Sequence, residues 1–188
     1  MSVEADQVFR VQEPGFIWLA TIYAAPGVHI SGRDRYMDGL GHMLIRPMSL
    51  FTVADEEGRE IDQATLLRYL AEIVWFPDAA LQEYIEWEPV SDFVARATMA
   101  HGDVRASGEF TFSPEGDVLS FAAERYGEFN GEYRLETWVI PLSGHQEFSG
   151  VRVPATGDVT WRLAQGDYVW YRFTVQEIAY NLPDLFQH

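Results

Sequence analysis

The strongest constraint in this chain is a succession of short alternating runs, rich in β-branched and aromatic residues and separated by turn dipeptides. Only one stretch of helical periodicity interrupts them. Residues 16–24 (FIWLATIYA) predict a first strand, ended by Pro26-Gly27. Val28–Met37 predicts a second, and about 42–53 a third, with Asp38-Gly39 as the hairpin turn between them because glycine supplies the positive φ such a turn needs. After a solvated turn at Asp55-Glu56-Glu57-Gly58, Asp62 is placed to cap a helix over about residues 63–75. Leu66, Leu67, Leu70, Ile73 and Val74 give that helix one apolar face. Phe76-Pro77-Asp78 interrupts it, and residues 79–84 add a further turn. Strands return at 85–89, 93–100, 104–112, 118–126, 133–140, 150–163 and 168–179, punctuated by Gly102-Asp103, Glu115-Gly116-Asp117, Asn130-Gly131 and Gly166-Asp167.

Strands, one helix, then strands with hairpin-length gaps imply an antiparallel meander and not a parallel sheet. One helix cannot cover both faces of a sheet of roughly ten strands. The predicted fold is therefore mainly β, a strongly curved antiparallel sheet (half-barrel or open barrel) with the main helix as plug or lid. No internal repeat, low-complexity stretch or linker divides residues 1–188, so a single domain is expected.

What the chain lacks excludes whole classes of chemistry. Without cysteine there is no thiol nucleophile, thiolate-ligated metal or disulfide. All 13 basic residues are arginine, so Schiff-base and Walker-type lysines are excluded too. Against them stand 29 acidic residues, a formal charge of −16 that repels nucleic acid and anionic membrane surfaces. No run reaches the ~18 apolar residues of a membrane-spanning helix. The first residues (MSVEADQVFR) carry no basic-then-apolar leader. The chain as given reads as soluble, unexported and cytoplasmic, with upstream truncation left open; the sequence sets no oligomeric state.

Three blocks carry a resemblance. RYLAEIVWFPDAAL (68–81) with WEPVSDFVARAT (87–98) is one, GRDRYMDGLG (32–41) the second, and GVRVPATGDVTW (150–161) the third. Together they resemble an uncharacterised prokaryotic family of unknown function, across most of the chain. Its implied architecture is similar to the lipoprotein-carrier half-barrels (the LolA/LolB-like group), in which a curved antiparallel sheet wraps a helix and holds an acyl chain. The long N-terminal helix typical of those carriers is not legible here, nor is an export signal.

Six tryptophans, nine tyrosines and twelve phenylalanines are more aromatic surface than most single cores need, each ring burying ~150–250 Å². Either they fill the sheet's interior or they line an apolar cavity for a hydrophobic guest. Trp18, Tyr36, Trp75, Phe76, Trp161 and Trp170 are the candidate wall residues. Alternation along 28–38 puts Asp34 and Tyr36 on the inner face with Val28 and Ile30. A buried carboxylate needs a partner, and Arg46 or Arg105 on neighbouring strands is the expected one. Asp34 is thus either half of a structural ion pair, the polar anchor of a ligand head group with Tyr36, or a general acid–base.

His29, His42, His101, His145 and His188 show no metal-ligand spacing, so no metal and no cofactor are expected. A cross-strand meeting of His29 and His42 stays open, as does a Ser143–His145 pair, although no nucleophile elbow is present. The acidic run at 55–62 lacks the alternating ligands of a calcium loop. Trp75-Phe76-Pro77 reads as a packed closure of the barrel mouth or as a hinged gate. The expectation is a binder of a hydrophobic or amphipathic small molecule, of lipid or acyl type, held between curved sheet and helix. The alternatives are a small barrel enzyme relying on shape and Asp34, and a protein-interaction module with a filled core.

Overall fold

Asp38-Gly39 turns the chain as its dipeptide predicts: both residues have positive φ, 53° and 86°, the mirror-image geometry that matches strand twist. Asn130-Gly131 does the same at 57° and 83°. Such turns make neighbours in sequence neighbours in space, and the result is a pair of meanders. The computed structural model describes residues 2–49 and 51–182.

The first meander holds Ser2–Arg10 (β1), Gly15–Ala25 (β2), Val28–Met37 (β3), Leu40–Pro47 (β4) and Ala54–Glu56 (β5) in that order across one sheet. The helix Arg59–Glu72 (α1) follows, then two short 3-10 turns at Ile73–Trp75 and Pro77–Leu81. The chain continues through Ile85–Ser91 (β6), Val94–His101 (β7), Val104–Phe112 (β8), Val118–Phe129 (β9), Glu132–Ser143 (β10), Gln146–Phe148 (β11), Val151–Val153 (β12), Thr156–Leu163 (β13) and Gly166–Thr174 (β14). The second sheet is ordered β14-β13-β10-β9-β8-β7-β6, and β11-β12 forms a separate hairpin. All pairings are antiparallel, as in β1–β2 and β10–β13. The fold is mainly β with α1 as the one α-helix among the described residues, an open half-barrel. Its curved wall is two sheets of five and seven strands with no backbone ladder between them, where one continuous sheet was expected.

The helix is a plug between those sheets. It packs on β3 and β4 on one side and on β8 and β9 on the other. A helix covered on both sides is apolar nearly all round, and Ile61, Ala64, Leu66, Leu67, Tyr69, Leu70 and Ala71 are all buried. The predicted single stripe counted only one of its two covered faces. Its approach to β4 is close enough to require glycine at position 41. A Cβ there would lie 2.7 Å from the Ile61 carbonyl oxygen and collide with the Thr65 hydroxyl. Asp62 does not cap the helix, which begins three residues earlier, after Gly58 at φ 123°. Its Oδ1 accepts a 2.6 Å hydrogen bond from the Gly41 amide and so fastens helix to strand.

The core runs continuously from Phe16 and Tyr36 of the first sheet, through Leu66, Leu67 and Leu70, to Phe110, Phe121 and Trp138 of the second. Several predicted bounds shift. Residues 2–10 form a strand whose polar residues hid the pattern, being an edge strand with one face in solvent. The predicted strand 42–53 stops at Pro47, because Met48 and Ser49 take left-handed φ of 53° and 58°. The predicted strand 150–163 is broken by Pro154, which donates no ladder hydrogen bond, into β12 and β13. The strand predicted to end at 179 ends at Thr174.

Candidate functional site

Inward-facing rows of the two sheets follow from register. On the first sheet Gln7, Trp18, Asp34 and Met43 are successive cross-strand partners, and the next row is Ala5, Ala20, Gly32 and Ile45. On the second, Ala123, Trp138 and Trp161 form one row and Arg125 and Glu136 stand opposite each other in the next. The helix lays Arg68 and Glu72, one turn apart, across the first of these rows.

Arg68 organises that layer. Its Nη1 donates to Asp34 Oδ2 at 2.6 Å, its Nε to Glu72 Oε1 at 2.9 Å and its Nη2 to Gln7 Oε1 at 3.1 Å. Gln7 Nε2 completes the ring by donating to Glu72 Oε2 at 2.7 Å. The guanidinium also lies 4.9 Å from the Phe16 ring centre and 5.1 Å from that of Trp18. Arg125 mirrors it on the other wall, 4.8 Å from Trp138 and 5.7 Å from Trp161. Two guanidinium groups thus occupy the space between the sheets, each against its own aromatic wall.

Their electrostatics differ. Burial works against the Arg68 charge, but the Glu72 and Asp34 carboxylates overcome it and hold the proton more tightly than usual. Burial lowers Arg125 to about 10, a charge still present at neutral pH. Burial likewise pushes Glu72 above the ordinary carboxylate range, against the pull of Arg68 and Gln7. Among the described residues Arg125 meets no carboxylate at ion-pair distance. Its Nε donates to the Ala64 carbonyl at 3.3 Å, and Glu136 turns instead to Arg134 at 2.7 Å. Asp34 Oδ1 and Trp138 Nε1 are buried without a hydrogen-bond partner among the described residues.

Of the residues expected at a site, Trp18, Asp34 and Trp161 come together here. Alternation placed Asp34 and Tyr36 inward, and both are buried. The expected partner of Asp34 is corrected: Arg46 and Arg105 are exposed, and Arg68 holds Asp34 because the helix crosses directly over it. Tyr36 is turned to the other side of the helix, with its hydroxyl 3.0 Å from His101 Nδ1. Trp75 donates its Nε1 to the Pro154 carbonyl at 2.9 Å, and Phe76 packs 4.1 Å from Phe9 between ring centres. Trp170 is no interior wall residue: it is 49% exposed, on the outward face of β14, because Tyr171 and Phe173 take the inward positions. Arg68, Glu72, Arg125 and Trp138 were not singled out from the sequence. Two signals for them were present, namely an Arg-Glu pair at i,i+4 as the only charges of the stretch 64–75, and a lone arginine in the alternating face Phe121, Ala123, Arg125.

The histidines are dispersed. His29 contacts Ser49, and His42 contacts Arg33 and Asp55. His145 contacts the Val118 carbonyl while Ser143 pairs with Thr156, so neither histidine pairing left open by the sequence is made. His188 lies outside the described residues. Two open grooves, of about 300 and 340 Å³, sit on the strands at Leu19–Thr21 with Ser31–Gly32 and at Pro141–Ser143 with Thr156–Asp158; no α1 residue lines either. No helix among the described residues is long and apolar enough to cross a membrane.

The profile of one protein family, described as Family of unknown function (DUF6920), matches residues 1–180. No curated protein and no solved structure matches the chain.

Proposed function

Because the chain belongs to that family of unknown function, which has no activity to pass on, we propose from the site alone that it binds an amphipathic small molecule between its two sheets, beside α1. The observation that carries this reading is the strip of inward-facing apolar residues beyond the helix. Ile22, Ile30, Gly32 and Ile45 continue the inner face of the first sheet past Asp34 yet are only half-buried. On the second sheet Phe129, Leu163 and Tyr171 lie at the margin of the core. Apolar surface on a concave face gains ~25 cal/mol per Å² when a guest covers it. The strip ends at the Asp34–Arg68–Arg125 layer, so an apolar tail along the strip would bring a polar head to charged and hydrogen-bonding groups. The lipoprotein-carrier half-barrels that the sequence blocks resemble offer an analogy of architecture only.

The test is uptake. Native mass spectrometry of gently purified protein should reveal co-purified lipid-like mass, and delipidated protein should enhance the fluorescence of an apolar dye. Ile22→Glu, which puts a charge on the strip, should lower uptake with the circular dichroism unchanged. A delipidated sample that takes up no apolar probe rejects the proposal.

A second reading has one observation in its favour. The last strand, an edge of the second sheet, presents Tyr168 and Trp170 at 57% and 49% exposure. An aromatic edge suits pairing with a protein strand. Concentration-dependent light scattering abolished by Trp170→Ser would favour this interaction role.

A further inference from the structure

Resting on the reading of an amphipathic guest, we infer that its head group is uncharged and oxygen-bearing, a carbonyl or hydroxyl of ester or alcohol type, held by Arg125, Trp138 and Asp34. The layer between the sheets contains two guanidinium groups, Arg68 and Arg125, and two carboxylates, Asp34 and Glu72. Arg68 is shared by both carboxylates. With Asp34 and Glu72 both ionised, that trio carries one excess negative charge, which Arg125 balances from the opposite wall without touching it. The four charges cancel. An anionic head would leave the layer negative inside a chain already at −16, where low dielectric makes each uncompensated charge expensive. A cationic head would leave it positive beside two arginines.

What the layer lacks is hydrogen-bond partners. Trp138 is 3% exposed and its Nε1 has no acceptor among the described residues. The indole bearing that orphan donor is the one Arg125 lies over, and the terminal nitrogens of Arg125 donate to no protein group among the described residues. One orphan acceptor, Asp34 Oδ1, is buried in the same layer, on the carboxylate whose Oδ2 Arg68 holds. A head rich in acceptors with a single donor matches the set: a carbonyl oxygen for Arg125 and Trp138, and a hydroxyl proton for Asp34. Glu136, the nearest competing carboxylate in register with Arg125, is already taken by Arg134. The orphan atoms of Trp138 and Asp34 are shielded from solvent, so the head reaches them only as the groups around them move.

The experiment titrates delipidated protein at neutral pH with three probes of equal chain length: a monoacyl glycerol, the corresponding fatty carboxylate and the parent alkane. Tryptophan fluorescence and native mass spectrometry report binding. The ester is expected to bind about tenfold or more tighter than the carboxylate. Arg125→Gln and Trp138→Phe should each weaken the ester about tenfold and leave the alkane unaffected. If Arg125→Gln fails to fold, Trp138→Phe, which keeps the ring and removes only the donor, decides alone. A carboxylate that binds as tightly as the ester, or an ester indifferent to Trp138→Phe, overturns the uncharged head group while the amphipath reading stands. Failure of all three probes overturns that reading itself, and this inference with it.

Discussion

Arg68 on α1 and Asp34 on β3 form a 2.6 Å ion pair whose side chains are 16% and 13% exposed, and this pair fastens the helix to the first sheet. Removing the arginine leaves two buried carboxylates, Asp34 and Glu72, without their shared cation. Breaking a buried pair from one side costs about 3–5 kcal/mol, while replacing all partners by neutral isosteres returns most of it. Arg68→Met should therefore lower the urea-unfolding free energy by about that amount. Combining it with Asp34→Asn and Glu72→Gln should recover most of the loss. A triple variant as unstable as the single one would show that Arg68 acts through packing on Phe16 and Trp18 instead.

Glu72 gives the layer a pH dependence whose sign is fixed by burial. Its folded-state carboxyl binds a proton more readily than the unfolded one, since desolvation raises it above the ordinary range. Between the unfolded value, about 4.3, and that raised value, the folded state carries more of the proton. This contribution to stability is present at low pH and lost as pH rises through the folded value. Glu72→Gln removes it. Urea midpoints across this range should show the stability difference, variant minus wild type, moving in the variant's favour as pH increases. A pH-independent difference would mean that Glu72 titrates normally.

Both effects reside in side chains that the sequence pattern could rank only in part. Alternation was enough to put Asp34 inward, because β3 is a regular strand with one covered face. Its partner was out of reach, since Arg46 and Arg105 are nearer by strand logic and only the path of α1 brings Arg68 over Asp34. The two sheets were also illegible as two, because hairpin spacing reports which strands are adjacent but not where a helix parts a meander. Trp170 was misplaced by chemistry: a large ring reads as interior, and β14 turns Tyr171 and Phe173 inward instead. The polar strand β1 escaped notice for the converse reason, an edge strand having one face in water.

Gly41 is where helix and strand approach most closely, and it should resist the smallest substitution. A methyl group there meets the Ile61 carbonyl at 2.7 Å and the Thr65 hydroxyl, which already donates to that carbonyl. Main chain cannot step aside without shifting α1 from β4. Gly41→Ala should cost about 1–3 kcal/mol by overpacking, and Gly39→Ala, at φ 86° in open space, should cost strain alone. Chemical denaturation of the pair checks the ordering. A Gly41→Ala variant within about 0.5 kcal/mol of wild type would mean that the helix slides freely on the strand.

Trp75 ties the end of the helical segment to the far side of the second sheet. Its Nε1 donates to the Pro154 carbonyl at 2.9 Å, and its ring stands edge-on to Phe173 with centres 5.2 Å apart. Pro154 lies where β12 gives way to β13, and the adjacent Ala155 carbonyl accepts from the Val175 amide at 2.7 Å. Trp75→Phe retains an aromatic ring against Phe173 but leaves the buried carbonyl without its donor, at a cost of about 1 kcal/mol or somewhat more. A static closure predicts that this loss is felt locally, as faster hydrogen exchange at the Val175 amide with the exchange of β7 and β8 unchanged. A hinged gate predicts that the Val175 amide already exchanges fast in the wild type, because the Trp75–Pro154 bond would be open for much of the time. Exchange at that single amide, measured in both proteins, separates the two.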